Sequence, residues 1–127
     1  MPSKYGLIAV QAARRCRSGQ SAEGAWKQAA ADVFPDQPAS RAKGCPKCAF
    51  VGLVEAGRII GVPRDSDLPP RTHNAEYAVT AADILASTPG RDRTPTELWR
   101  DVMGDRVKQH NSQMDVVLAL WKNGDLT

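Results

Sequence analysis

A chain of 127 residues fits one domain and is long enough to bury roughly two thirds of its unfolded surface in a single core, so it needs no staple to fold. A net charge of +3 dictates no partner by itself, and no apolar run of about 18 residues is present to read as a membrane-spanning helix. Three cysteines, Cys16, Cys45 and Cys48, speak against a disulfide framework, and Met1-Pro2-Ser3-Lys4-Tyr5-Gly6 lacks the apolar stretch of a secretory signal, so the expected location is the cytoplasm.

The spacing predicts a first helix from about Ser3 to Ser18, with Tyr5, Ile8, Ala9, Ala12 and Cys16 on one side and Arg14, Arg15 and Arg17 near its end, where cations suit the helix dipole. Gly19 stops it. Ser21 caps a second helix whose inner face is Ala25, Trp26, Ala29, Ala30 and Val33, and Pro35 to Pro38 reads as a turn. A third helix, with Pro46 expected at its first position, runs through Ala49, Phe50, Val51, Leu53 and Val54 to Gly57. Ile59, Ile60 and Val62 then form an extended exit.

Residues 61–73 sustain neither periodicity and are expected to be a linker. Asn74 is the expected cap of a fourth helix with Tyr77, Ala78, Ala81, Ile84 and Leu85 inward. Thr94-Pro95-Thr96-Glu97 is a capping box that opens a fifth helix carrying Leu98, Trp99 and Val102 up to Gly104. The sixth helix is the most tightly written. Asn111 or Ser112 can cap it, Asp115 suits its positive end, and Gly124 closes it. Met114, Val117, Leu118 and Trp121 recur at helical spacing, and Val116 and Leu120 widen that stripe until little is left to face water.

The two parts of the chain match in order. Tyr5 and Ala9 fall on Tyr77 and Ala81, and Ser21, Ala25 and Trp26 fall on Thr94, Leu98 and Trp99. Cys45, Phe50, Val51, Gly52, Leu53, Gly57 and Ile59 fall on Ser112, Val117, Leu118, Ala119, Leu120, Gly124 and Leu126. The expected fold is therefore all-α, a single domain over residues 1–127 made of six helices in two pseudo-symmetric trihelical halves, 3–60 and 74–127. The two third helices are expected to pack together, with Gly52 against Ala119 at their closest approach.

Lys4-Tyr5-Gly6, Gly44-Cys45-Pro46-Lys47, Glu55-Ala56-Gly57 with Gly61-Val62-Pro63, and the run from His110 through Met114 and Asp115 to Trp121 resemble the signature of a family of small uncharacterised proteins from bacteria and their mobile elements. The resemblance spans nearly the whole chain. It implies a single soluble domain and carries over no catalytic residue.

Chemistry is sparsely signalled. Paired carboxylates, a Ser-His-Asp set, a phosphate-cradling Gly-Lys loop and a dinucleotide fingerprint are all missing, so no catalytic residue and no cofactor are expected. Cys45-Pro46-Lys47-Cys48 is a CxxC at a helix start, where the dipole and Lys47 could activate Cys45, but the strand pattern of dithiol oxidoreductases is missing. The alternative is that Cys45 caps and Cys48 packs. Zinc would need Cys16, Cys45 and Cys48 with His73 or His110, a spacing unlike fingers or ribbons, so no metal is expected. As a DNA reader, the third helix offers only Lys47 and Glu55 towards base edges.

Charge is uneven along the chain. Residues 1–60 hold nine basic and four acidic side chains, a net +5, against eight and ten, a net −2, in the remainder. The expected site is an anion pocket where the two third helices begin, formed by Arg41, Lys43, Gly44, Cys45 and Lys47 with His110, Asn111, Ser112 and Gln113. Arg14, Arg15 and Arg17 would add a basic face, and all three tryptophans are expected in the core. The expectation is a non-enzymatic binding protein for nucleic acid, nucleoprotein or an acidic protein surface, with no membrane partner. A small thiol-based redox protein or enzyme using Cys45 is the alternative, and a protein–protein interaction module or inhibitor is a third.

Overall fold

The fold is seen in a computed structural model that describes residues 4–63, 72–106 and 112–127. It is all-helical: α1 (Lys4–Arg17), α2 (Ala22–Val33), a single turn α3 (Pro38–Arg41), α4 (Gly44–Glu55), α5 (His73–Ser87), α6 (Pro95–Met103) and α7 (Gln113–Lys122). Six long helices match the expected six. α3 lies where only a turn was expected: Pro38 takes its first position, and Arg41 NH and Ala42 NH donate to Gln37 O and Pro38 O, which closes one helical turn.

Each half closes on the other. α1 packs mainly against α2 and α7, and α5 packs mainly against α4, so the first helix of each half lies on the third helix of the opposite half. Small residues make this crossing close. A Cβ on Gly52 of α4 would overlap Ala75 Cβ of α5 and lie 2.7 Å from its Cα, and a Cβ on Gly6 of α1 would lie 2.8 Å from Ala119 Cβ of α7. The sequence predicts Gly52 against Ala119; instead Gly52 meets Ala75, and Ala119 meets Gly6. Each seats the opposite half's first helix, because a neighbouring helix axis can come in tightly only where a side chain is minimal.

α4 and α7 end alike. Ala56 NH donates to Gly52 O and Asn123 NH to Ala119 O, both at 3.0 Å, and Arg58 NH donates to Leu53 O at 2.9 Å as Asp125 NH does to Leu120 O at 2.8 Å. Gly57 and Gly124 hold φ of 73° and 77°, the left-handed conformation that a residue with a Cβ resists. The two exits then pair with each other. Ile59 and Leu126, equivalent in the sequence match, form an antiparallel bridge, with Ile60 NH on Asp125 O at 2.8 Å and Thr127 NH on Arg58 O at 3.0 Å. That reciprocal pattern is what an approximate twofold axis between the exits produces.

One core fills the molecule. Ile8, Trp26, Phe50, Leu53, Leu85, Leu98, Met114 and Leu120 are almost wholly enclosed. Trp26 and Phe50 rings lie 5.5 Å apart, and Tyr77 meets Trp99 edge to face at 5.2 Å. Trp121 departs from the expected core position: it sits on the last turn of α7 and is only partly buried.

Several starts differ from expectation. α4 begins at Gly44, with Lys43 rather than Cys45 as the cap residue, since two helical residues precede Pro46. Thr72, not Asn74, caps α5 by accepting from Ala75 NH at 3.0 Å, so residues 72 and 73 belong to the helix rather than to the linker. Residues 64–71 of that linker lie outside the described residues. Ser112 precedes α7 with φ 71° and makes no side-chain cap; its carbonyl accepts from Val116 NH instead.

Candidate anion-binding groove

The residues around the start of α4 come together as one surface. Pro38 opens α3 and sets Arg41 one turn further on, Lys27 projects from the outer face of α2, and Lys47 lies in the first turn of α4. With Ala42 they line an open groove of about 390 Å³. Gly44 has open space where a Cβ would be, and Lys43 supplies no side-chain acceptor to the first-turn NH groups. An anion in this groove would meet three cations, the last of them, Lys47, in the first turn of a twelve-residue helix.

Aromatic packing holds the groove's wall. Tyr5 and Phe34 rings lie 5.4 Å apart, and Tyr5 donates its hydroxyl to Ser40 O at 3.2 Å, which ties α3 to α1. The Lys43 ammonium sits 5.2 Å from the Tyr5 ring centre and that of Lys4 sits 5.4 Å from Phe34, both in cation–π range. Lys43 thus stands beside the groove rather than lining it. Lys47 also reaches Glu23 at 3.5 Å, but Glu23 is mostly exposed, so the pair is weak and exchanges readily with another anion.

The second half of the expected pocket is placed otherwise. Gln113 is buried and its amide donates to Asn74 Oδ1 at 2.8 Å, so it joins the starts of α7 and α5. Ser112 is half-buried, and neither it nor Gln113 lines the groove of Arg41 and Lys47. His110 and Asn111 lie outside the described residues.

The three arginines of α1 do not act together. Arg14 is exposed, Arg15 pairs with Asp32 at 2.8 Å, and Arg17 donates to Ile60 O at 2.8 Å and to buried Asp125 at 2.7 Å. Arg17 ties α1 to the paired exits and is a structural residue. Conversely, Lys27 lines the groove although the sequence reading passed over it. Its place opposite the inner stripe Ala25, Trp26 and Ala29 was the available signal.

Cys45 and Cys48 are partly buried and Cys16 is buried, and none of the three is in a disulfide. Cys48 lines a smaller cavity of about 150 Å³ with Glu23, Lys47, Glu55 and Thr72. His73 lies on the surface with Nδ1 3.4 Å from Glu76. Among the described residues no group of three or more histidine, cysteine or acidic side chains is placed to hold a metal ion, and no helix is long and apolar enough to cross a membrane.

No curated protein and no solved structure matches this chain. A family model does match, over residues 2–127, and the chain therefore belongs to the family of unknown function DUF6979.

Proposed function

We propose that the protein is a non-enzymatic binding protein that takes an anionic partner, nucleic acid or nucleoprotein ahead of an acidic protein surface, in the groove at the start of α4. The observation that carries this reading is the convergence of Lys27, Arg41 and Lys47, from three different helices, on one open groove beside a helix amino end. The groove holds cations without the Asn, Gln or Arg array that reads base edges, so contacts fall on phosphate and carry little sequence information.

Electrophoretic mobility shift across a salt series tests it. Each phosphate neutralised on duplex DNA contributes a slope of roughly −0.9 in log affinity against log salt, so three contacts give about −3, and Arg41→Ala should lower that slope by about one. Binding that is absent at low salt, or a slope unchanged by Arg41→Ala, removes the proposal. The redox alternative draws on the partly accessible Cys45 and Cys48 thiols. It predicts no salt-steep binding together with fast alkylation of Cys45.

A further inference from the structure

The second half has a cavity of its own. It measures about 260 Å³ and lies between the connection from α5 to α6 and the last turns of α7. Leu85, Leu118 and the partly exposed Trp121 form its apolar side, while Arg91, Asp92, Arg93 and Lys122 supply charge.

Arg93 makes this a built site rather than a surface dent. Its side chain is only 3% exposed, with Nε donating to Asp101 at 2.7 Å and Nη1 to Thr88 Oγ1 at 2.8 Å. Thr88 Oγ1 in turn donates to Ile84 O at 2.8 Å, and Arg91 NH donates to Thr88 O, so the connection is pinned from inside. Nη2 makes no hydrogen bond among the described residues, yet no enclosed side-chain nitrogen or oxygen there goes without a partner. Nη2 is therefore not wholly enclosed, and Arg93 lines the cavity. A charged donor in that position can give a strong hydrogen bond to a carboxylate that enters the cavity in place of water.

We propose that this cavity binds a small aromatic monocarboxylate, with its ring against Trp121 and its carboxylate on Arg93 Nη2, within reach of Arg91 and Lys122. Charge selects the valence. Arg91, Arg93 and Lys122 face Asp92 within the cavity, and Asp101 balances Arg93 from behind, which leaves about one positive charge for the ligand. The carboxyl end of α7 does not oppose an anion strongly, because the carbonyls of Ala119, Leu120 and Trp121 already accept from Asn123, Asp125 and Gly124. Size selects a single ring, since pockets for larger ligands start at about 300 Å³. Indole stacking favours a planar body over a puckered one.

The test is calorimetric titration of the full chain with benzoate, cyclohexanecarboxylate and adenosine monophosphate, with the part of the tryptophan fluorescence that is lost in Trp121→Leu as a second readout. Benzoate should bind saturably at one site and more tightly than either of the others. Trp121→Leu and Lys122→Gln, both at accessible positions that leave Arg93 in place, should each weaken benzoate about tenfold, or about 1.4 kcal/mol, while the helical circular dichroism stays unchanged. Absence of saturable benzoate binding, or unchanged binding in Trp121→Leu, overturns the proposal. Equal binding of cyclohexanecarboxylate overturns the ring assignment, and tighter binding of the nucleotide overturns the monocarboxylate assignment.

Discussion

The carboxyl ends of α4 and α7 follow one plan and their amino ends follow two. At the ends, each helix closes with the same pair of backbone hydrogen bonds, a left-handed glycine and an exit strand that pairs with its counterpart. At the starts, α4 opens from Lys43 beside the groove of Lys27, Arg41 and Lys47, whereas α7 opens from Ser112 in a left-handed conformation with Gln113 buried on Asn74. The difference follows from where each end sits. The exits lie against each other, so a change in one must be met by the other, while each start faces a different neighbour and can diverge. The charges diverge with them: the start of α4 has a cationic groove, while the cavity lined by Trp121 lies at the opposite end of α7.

The comparison can be broken most directly in the shared core. Leu53 and Leu120 are equivalent and both fully buried. Truncating either to alanine should cost about 3–4 kcal/mol, and the two costs should agree within about 1 kcal/mol if the halves bear on the core equally. Urea denaturation of the two variants measures this. A difference of several kcal/mol would mean that one half carries the fold and the likeness of the helix ends is superficial.

A sharper asymmetry is expected where the halves cross. A Cβ at Gly52 meets backbone as well as the side chain of Ala75, and backbone cannot step aside without shifting α5. At Gly6 it meets chiefly the Ala119 methyl at 2.8 Å, with Asp115 O at 3.2 Å. Gly52→Ala should therefore destabilise by about 2–3 kcal/mol, even after the helix-propensity gain of roughly 1 kcal/mol, and Gly6→Ala by less than half of that. Equal costs would show that the α1–α7 crossing is as tight as α4–α5.

Much of this was legible beforehand because it is local. Helix boundaries marked by Gly19, Gly57, Gly104 and Gly124, the box at Thr94 and Glu97, and the alignment of Ile59 with Leu126 rest on residues a few positions apart or on order along the chain. What escaped depends on partners distant in sequence. No spacing rule tells that Gly52 meets Ala75, that Arg17 reaches Asp125 across 108 positions, or that Gln113 hides its amide on Asn74. Of the α4 side of the expected site, Arg41 and Lys47 share a groove because they lie within one turn and loop, whereas Lys27 joins them from α2, which no local spacing indicates. Trp121 was misplaced because helical periodicity gives a face, not whether a neighbouring connection covers it.

The smallest effect separates the second helices. In α6, Thr94 Oγ1 accepts from Glu97 NH at 3.2 Å and Glu97 Oε1 accepts from Thr94 NH at 3.0 Å; in α2, Ser21 Oγ accepts from Gly24 NH at 3.1 Å, and glycine has no carboxylate to return the bond. The Thr94 backbone NH, then the Thr94 hydroxyl contact and the nearby Arg91 and Arg100 charges, hold the Glu97 carboxyl below its ordinary 4.5. A carboxyl whose folded value is depressed adds stability above its unfolded value and loses it as pH falls through the folded one. The stability gap between the native chain and Glu97→Ala should therefore be constant near neutrality and close as pH falls below 4.5. Glu97→Gln keeps an acceptor but cannot titrate, so the gap between native chain and this variant should shift in favour of glutamine over the same acid range. Denaturation midpoints measured from neutrality into acid decide it: a gap to alanine that persists in acid would place the role of Glu97 in its side-chain packing rather than in its charge.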